Sequence, residues 1–238
     1  MNMRRGSRGR MLSGAVMTAG FLALSWAATG LAEEHKVELP ALVQQTQKMS
    51  QAADEISLVW WIPEEFWKAS AAQNPKGGEG QAEDILKVVH PYTVLVVVDG
   101  KMGPFAAAAY RSEADIRSEL QVKDGEGTLY RPLGEDKLDG DVKNFMAMMK
   151  PVFVNMLGPM GENMHFFVFP AEGKGGRKIA EAAKEGKFSV LLGEREFKWR
   201  LPLDALVPPK TCPTCGEKVS GAFKFCPWDG AKLPEAKK

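Results

Sequence analysis

Apolar residues follow two rhythms along this chain, and the rhythm changes often. Thr93–Asp99, TVLVVVD, is an unbroken run of mostly β-branched residues, which predicts a central strand covered on both faces. Ser57–Ile62 (SLVWWI) and His165–Phe169 (HFFVF) predict two further core strands, and Thr128–Arg131 a short one. Gly100–Pro104 turns the central strand back, so Phe105–Tyr110 is expected to pair with it. Lys187–Leu192 and Glu196–Leu201 read as a hairpin around Gly193-Glu194-Arg195.

Between these runs the spacing is helical. Leu42, Val43, Thr46, Met49, Ala53 and Ile56 fall near i, i+3, i+4 and i+7, which predicts a helix over 39–56. Pro63 suits a first helical turn, and Glu64 and Glu65 suit its positive end. Ala82–Val89 predicts another helix, ended by His90-Pro91. Ser112, with Asp115 three residues on, comes close to a capping box for a helix ending near Leu120. Asp141 opens a longer helix that reaches Lys150, is interrupted by Pro151 and resumes to Leu157. About six strands and about five helices with no regular βαβ alternation imply an α+β fold, a mixed sheet with flanking helices over 36–206. Residues 207–211, with Pro208-Pro209, read as a linker to a small module at 212–233.

The first 32 residues follow neither rhythm. Arg4, Arg5, Arg8 and Arg10 precede Met11–Gly30, which carries no charge, and Gly30-Leu31-Ala32 supplies small residues just before Glu33-Glu34. This is the layout of a signal peptide; an uncleaved anchor is the alternative, since the uncharged stretch matches the roughly 20 residues that span a bilayer. Both readings put the remainder outside the cytosol, periplasmic or secreted. No cysteine lies nearby to carry a lipid. Without residues 1–32 the chain keeps all 30 of its acidic residues and loses four of its 31 basic ones. The resulting net charge of about −3 gives no footprint for nucleic acid. A length of 238 residues, 45% of them hydrophobic and 26% charged, fits one medium domain with an appendage.

All three cysteines lie in CPTCGEKVSGAFKFCPWDG, Cys212 to Gly230. Cys212 and Cys215 stand in CPTCG; Cys226 and Asp229 stand in CPWDG, the same pattern with a carboxylate in the last ligand position. Each tight turn aims two ligands at one point, and the glycines, Gly216 and Gly230, let the chain leave in a left-handed conformation. Lys218–Phe225 between them is long enough for a short hairpin with Ser220-Gly221 as its turn.

On these residues the run resembles the zinc-ribbon family, in the variant whose second knuckle reads FCPxDG. Phe225, Cys226, Pro227 and Gly230 match the second knuckle, and Cys212, Pro213, Cys215 and Gly216 the first. The resemblance implies a structural zinc ion held by Cys212, Cys215, Cys226 and Asp229; carboxylates ligate zinc at about 2.0–2.2 Å. Two other readings fit the same residues: a Cys212–Cys215 disulfide with Cys226 free, and a metal-free remnant in which Cys226 packs as a small apolar residue. A thioredoxin-like role fits poorly, because this CxxC follows Pro208-Pro209-Lys210 and not a strand.

Elsewhere the chemistry is thin. The aromatic stretch WWIPEEFW, Trp60–Trp67, reads as core in preference to a ligand platform, and the adjacent Glu64 and Glu65 diverge by about 100° on a helix. Asn74–Gly80 (NPKGGEG) lacks the ending of a phosphate-binding loop and reads as a connector. Met146, Met148, Met149, Met156, Met160 and Met164, with His165, are soft ligands suited to copper(I), or else core filler. The expected function is an exported, non-catalytic binding or assembly protein with a zinc-ribbon-like C-terminus. Its expected partner is a protein or other envelope component; a membrane enters only if the first segment stays uncleaved. The alternatives are a thiol-redox protein using Cys212 and Cys215, or an unidentified hydrolase; the most informative observation is whether a concave pocket gathers His165, Tyr110, Arg111 and the tryptophans.

Overall fold

In the computed structural model the apolar run lies in strand β3 (Tyr92–Met102), and Thr93 to Gly100 are all buried. The structure describes residues 35–73, 78–103 and 107–235; the expected signal segment lies outside them. Along one edge β3 pairs with β2 (Glu55–Ile62), from Val94↔Ile62 to Lys101↔Glu55. Its other edge is shared by β7 (His165–Pro170) and β4 (Ala108–Tyr110). Strand β1 (Gln47–Met49) extends the sheet beyond β2. A second sheet runs β6 (Leu129–Tyr130), β5 (Leu120–Lys123), β8 (Gly186–Leu192), β9 (Arg195–Leu201). The class is α+β, but the strands of the body divide between two sheets and their pairings are antiparallel, in place of one mixed sheet.

Two neighbouring tryptophans define the layers, because successive side chains on a strand point to opposite faces. Trp60 packs edge-on against Phe66 of helix α2 (Glu64–Gln73) and Phe153 of helix α5 (Gly140–Leu157). Trp61 points the other way, 4.6 Å from the Phe188 ring of β8, which stacks at 4.9 Å on Trp199 of β9. The first sheet is therefore covered by helices on one face and by the second sheet on the other. The aromatic stretch from Trp60 to Trp67 is core, as expected.

Several boundaries differ from the sequence reading. Helix α1 stops at Thr46 (Leu39–Thr46), and residues 47–49 become β1. Leu58, Val59 and Trp60 are buried, so without β1 the outer edge of β2 would leave unpaired backbone groups out of water. Thr46 fixes the switch: its hydroxyl accepts the Trp60 indole N–H at 3.1 Å and donates to Leu42 O at 3.0 Å. Helix α3 (Gly78–Val89) starts inside the glycine-rich stretch, of which residues 74–77 are not described. Helix α4 (Glu113–Glu119), capped by Ser112 as expected, runs straight into β5, which was not foreseen. Helix α5 continues through Pro151; Pro151 and Ala147, whose carbonyl loses its partner, both lie on the exposed face, open to solvent. Among the described residues no helix is long and apolar enough to cross a membrane.

Past its apolar run β3 carries Asp99, which is 1% exposed. Arg195, the first residue of β9, grips both carboxylate oxygens at 2.8 Å. Ser57 donates to Oδ1 at 2.9 Å and Arg111 to Oδ2 at 3.1 Å, while the Arg111 N–H reaches Asp99 O at 2.8 Å. Burial works to raise the Asp99 carboxyl, but Arg195, Ser57 and Arg111 together hold it below the ordinary value. This carboxylate ties the two sheets together where their apolar contact ends.

Breaking the pair leaves a buried charge without its partner. Asp99→Asn and Arg195→Ala should each destabilise the body by about 3–5 kcal/mol in denaturant unfolding. A folded pKa below the unfolded one makes the contribution complete above about pH 4, and it is lost as pH falls through the depressed folded value. Losses under about 1 kcal/mol would show that the pair does not bind the sheets.

Candidate metal centre

The C-terminal module repeats one backbone turn. In the first, Gly216 N–H donates to Cys212 O at 3.0 Å and Cys212 N–H to Glu217 O at 2.9 Å. In the second, Gly230 N–H donates to Cys226 O at 3.0 Å and Cys226 N–H to Ala231 O at 2.8 Å. Gly216 and Gly230 take φ of 77° and 73°, left-handed values that cost a side-chain-bearing residue about 1–2 kcal/mol. The hairpin lies elsewhere than expected: β10 (Lys210–Thr211) pairs with β11 (Lys218–Val219) around the first turn, so strand begins inside the expected linker. A Phe225↔Lys232 bridge closes the second turn. Lys218–Phe225 does not fold back on itself; it links the two turns through a bend, with Phe223 N–H on Ser220 O at 3.2 Å.

These turns bring Cys212, Cys215, Cys226 and Asp229 together, with one ligand atom of each within 4.8 Å of all the others. Cys215 Sγ lies 3.7 Å from Cys226 Sγ, and Cys212 Sγ lies 3.3 Å from Asp229 Oδ2. A tetrahedral ion with bonds of about 2.3 Å to sulfur and about 2.0 Å to oxygen has S–S edges of about 3.8 Å and S–O edges of about 3.5 Å. The donor set therefore has the size and the chemistry to bind a metal ion. Asp229 Oδ1 accepts the Ala231 N–H at 2.8 Å, which leaves Oδ2 as the ligand atom. Cys212 and Cys226 are buried; Cys215 and Asp229 are exposed. The three cysteines are free thiols, not a Cys212–Cys215 disulfide.

The four groups disturb one another's protons. The Ala231 N–H, helped by the surrounding thiols against burial, draws Asp229 down to about 2. The N–H groups of Cys215 and Thr214 lower Cys212. The Glu217 N–H works to lower Cys215, but burial and the adjoining Cys212, Asp229 and Cys226 push it up to about 12. Lys210 does not relieve this crowding, since its Nζ is bound to Phe223 O at 2.9 Å. A divalent cation neutralises such a cluster by displacing its protons.

The other candidate residues do not converge. His165 is half-buried with Nδ1 3.8 Å from Glu113, and burial lowers its pKa. Arg111 is committed to Asp99 and to Glu119 at 3.0 Å, and the recess beside it is walled by Glu55, Glu119 and Arg195, without His165 or a tryptophan. Glu64 does not act with Glu65; it pairs with Lys178 at 2.7 Å and His90 at 2.9 Å in a shallow recess of about 150 Å³. Met146 and Met164 are buried while Met148 and Met156 face solvent, so the methionines present no common soft face. The Asp99 cluster escaped the sequence reading; its one signal was an acid ending an apolar strand. Comparison of the chain with protein-family models, curated proteins and solved structures gives no match.

Thiol ligation ties metal uptake to pH. Adding a divalent ion to metal-free protein should release protons, and apparent affinity should fall at least about tenfold per unit between about pH 8 and about pH 6. A pH-stat titration beside competition with a chromogenic chelator measures both. Equal affinity at the two ends, with no proton released, would exclude the thiols as ligands.

Proposed function

We propose that the chain is an exported, non-catalytic binding or assembly protein whose C-terminal zinc-ribbon-like module is closed by a structural zinc ion. The observation that carries this reading is the convergence of three sulfurs and one carboxylate at tetrahedral spacing. Zinc suits that set because it takes thiolate and carboxylate ligands in four-coordinate geometry without redox chemistry. Four protein ligands fill the coordination shell, which leaves no open position for substrate and favours a structural role. Export rests on the basic leader, the uncharged stretch and the small residues at 30–32. A binding role has a surface to work with: Phe223, Phe225 and Trp228 of the module are 46%, 60% and 76% exposed. Exposed aromatic side chains can anchor a protein partner, which here would be a component of the envelope.

The module has its own small core of Cys212, Val219, Cys226 and Leu233, separate from that of the body. Ser220 meets Asp204 and Lys224 meets Glu185 of the body, and Gly221 packs closely on Val207 and Pro208 of the connecting segment. Protein purified without chelator should carry about one zinc per chain, and Cys226→Ser should lose it while moving the body's thermal midpoint by less than about 2 °C. Elemental analysis and calorimetry read the two outcomes. Metal-free protein whose three thiols all react freely with a thiol reagent would end the zinc reading. A large fall in the body's midpoint would make the module part of its core.

A further inference from the structure

The module holds its thiols in a pairing that its CxxC spacing does not suggest. Cys215 Sγ touches Cys226 Sγ at 3.7 Å, van der Waals contact for two sulfurs, across the gap between the two turns. Cys212 Sγ also lies within 4.8 Å of both, but its nearest polar contacts are the Asp229 carboxylate at 3.3 Å and the Thr214 N–H, which it accepts at 3.4 Å. Of the three, Cys215 alone is exposed, while Cys226 is 3% exposed behind it. An oxidant arriving from solvent thus meets Cys215 first, with Cys226 already in place as the second thiol.

We propose that Cys215 and Cys226 form an oxidation site, closed to an inter-knuckle disulfide by hydroperoxides, and that closure expels the metal ion. Cys215 gives up its proton as its sulfur attacks one peroxide oxygen; the O–O bond breaks, leaving a sulfenic acid on Cys215 and hydroxide, which takes up that proton to give water. The Cys226 thiolate then attacks the sulfenic sulfur, the S–S bond forms, and the departing hydroxide takes a second proton to give a second water. Two thiolates supply two electrons, and one hydrogen peroxide is reduced to two waters. What remains is Cys212 and Asp229, a two-ligand set that cannot retain a tetrahedral ion. Only the expulsion step rests on the metal reading above; the choice of sulfurs rests on their contact and exposure.

The full chain, as purified, is treated with one equivalent of hydrogen peroxide per module. It is then alkylated, digested with trypsin without reduction, and sequenced by tandem mass spectrometry while a chromogenic chelator reports released metal. Cleavage after Lys210, Lys218, Lys224 and Lys232 places Cys212 and Cys215 on residues 211–218 and Cys226 on residues 225–232. The expected product is these two peptides cross-linked through Cys215, with Cys212 alkylated and about one ion released per disulfide formed. A disulfide inside 211–218, a link from Cys212 to Cys226, or Cys215 oxidised to sulfinic acid with no disulfide would each overturn the proposal. If the purified chain carries no metal, the zinc reading fails on that result alone, and the position of the disulfide still decides this one.

Discussion

A strand that is apolar on both faces must be covered twice, and β3 imposes that demand on the rest of the body. Its partner β2 meets the demand with neighbouring tryptophans aimed in opposite directions, one into the helices and one into the second sheet. The antiparallel register of β2 on β3 decides which faces which: a slip of one residue would exchange the two rings and their partners. Asp99 then limits how far the apolar layer extends. The two sheets meet through Trp61 of β2 against Phe188 and Trp199, and at the polar end of β3 the contact passes to a carboxylate held by two guanidinium groups.

Features encoded within a few residues were legible in the sequence. The β3 run, the Ser112 cap, the β8–β9 hairpin and both CPxxG turns stand where local pattern puts them, because each depends on neighbours in the chain. Features that answer a distant demand were not. Residues 47–49 have helical spacing, yet they pair with β2 because an unpaired edge beside Trp60 is the greater cost. Strand β5 is too short to show a period, and it exists because β8 lies beside it. The Asp99–Arg195 pair joins residues nearly a hundred positions apart, and nothing in either neighbourhood marks the other. At the candidate metal centre the convergence of four residues was readable from spacing, whereas the contact of Cys215 with Cys226 depends on how the two turns face each other.

The two turns also explain how a carboxylate can stand in a cysteine's place. Their hydrogen bonds are backbone to backbone and survive any exchange of the ligand side chain. Asp229 is one bond longer than cysteine from Cβ to its ligand atom, and the bond from Ala231 N–H to Oδ1 fixes the direction of the other oxygen. The consequence is an asymmetric site: a buried Cys212–Cys226 floor and an exposed rim of Cys215 and Asp229. An ion held this way is anchored from below and reached from the side.

That asymmetry bears on what the module contributes. A core of Cys212, Val219, Cys226 and Leu233 is too small to order the segment around it, and structural zinc in finger-type peptides supplies about 10–16 kcal/mol. On the zinc reading proposed above, order in the module depends on the ion, whereas the body has a large apolar core of its own. Phe223, Phe225 and Trp228 lie on the conditional part. On the same reading their display follows metal occupancy, and the proposed partner that reads those side chains would also read, through them, the state of the four ligands.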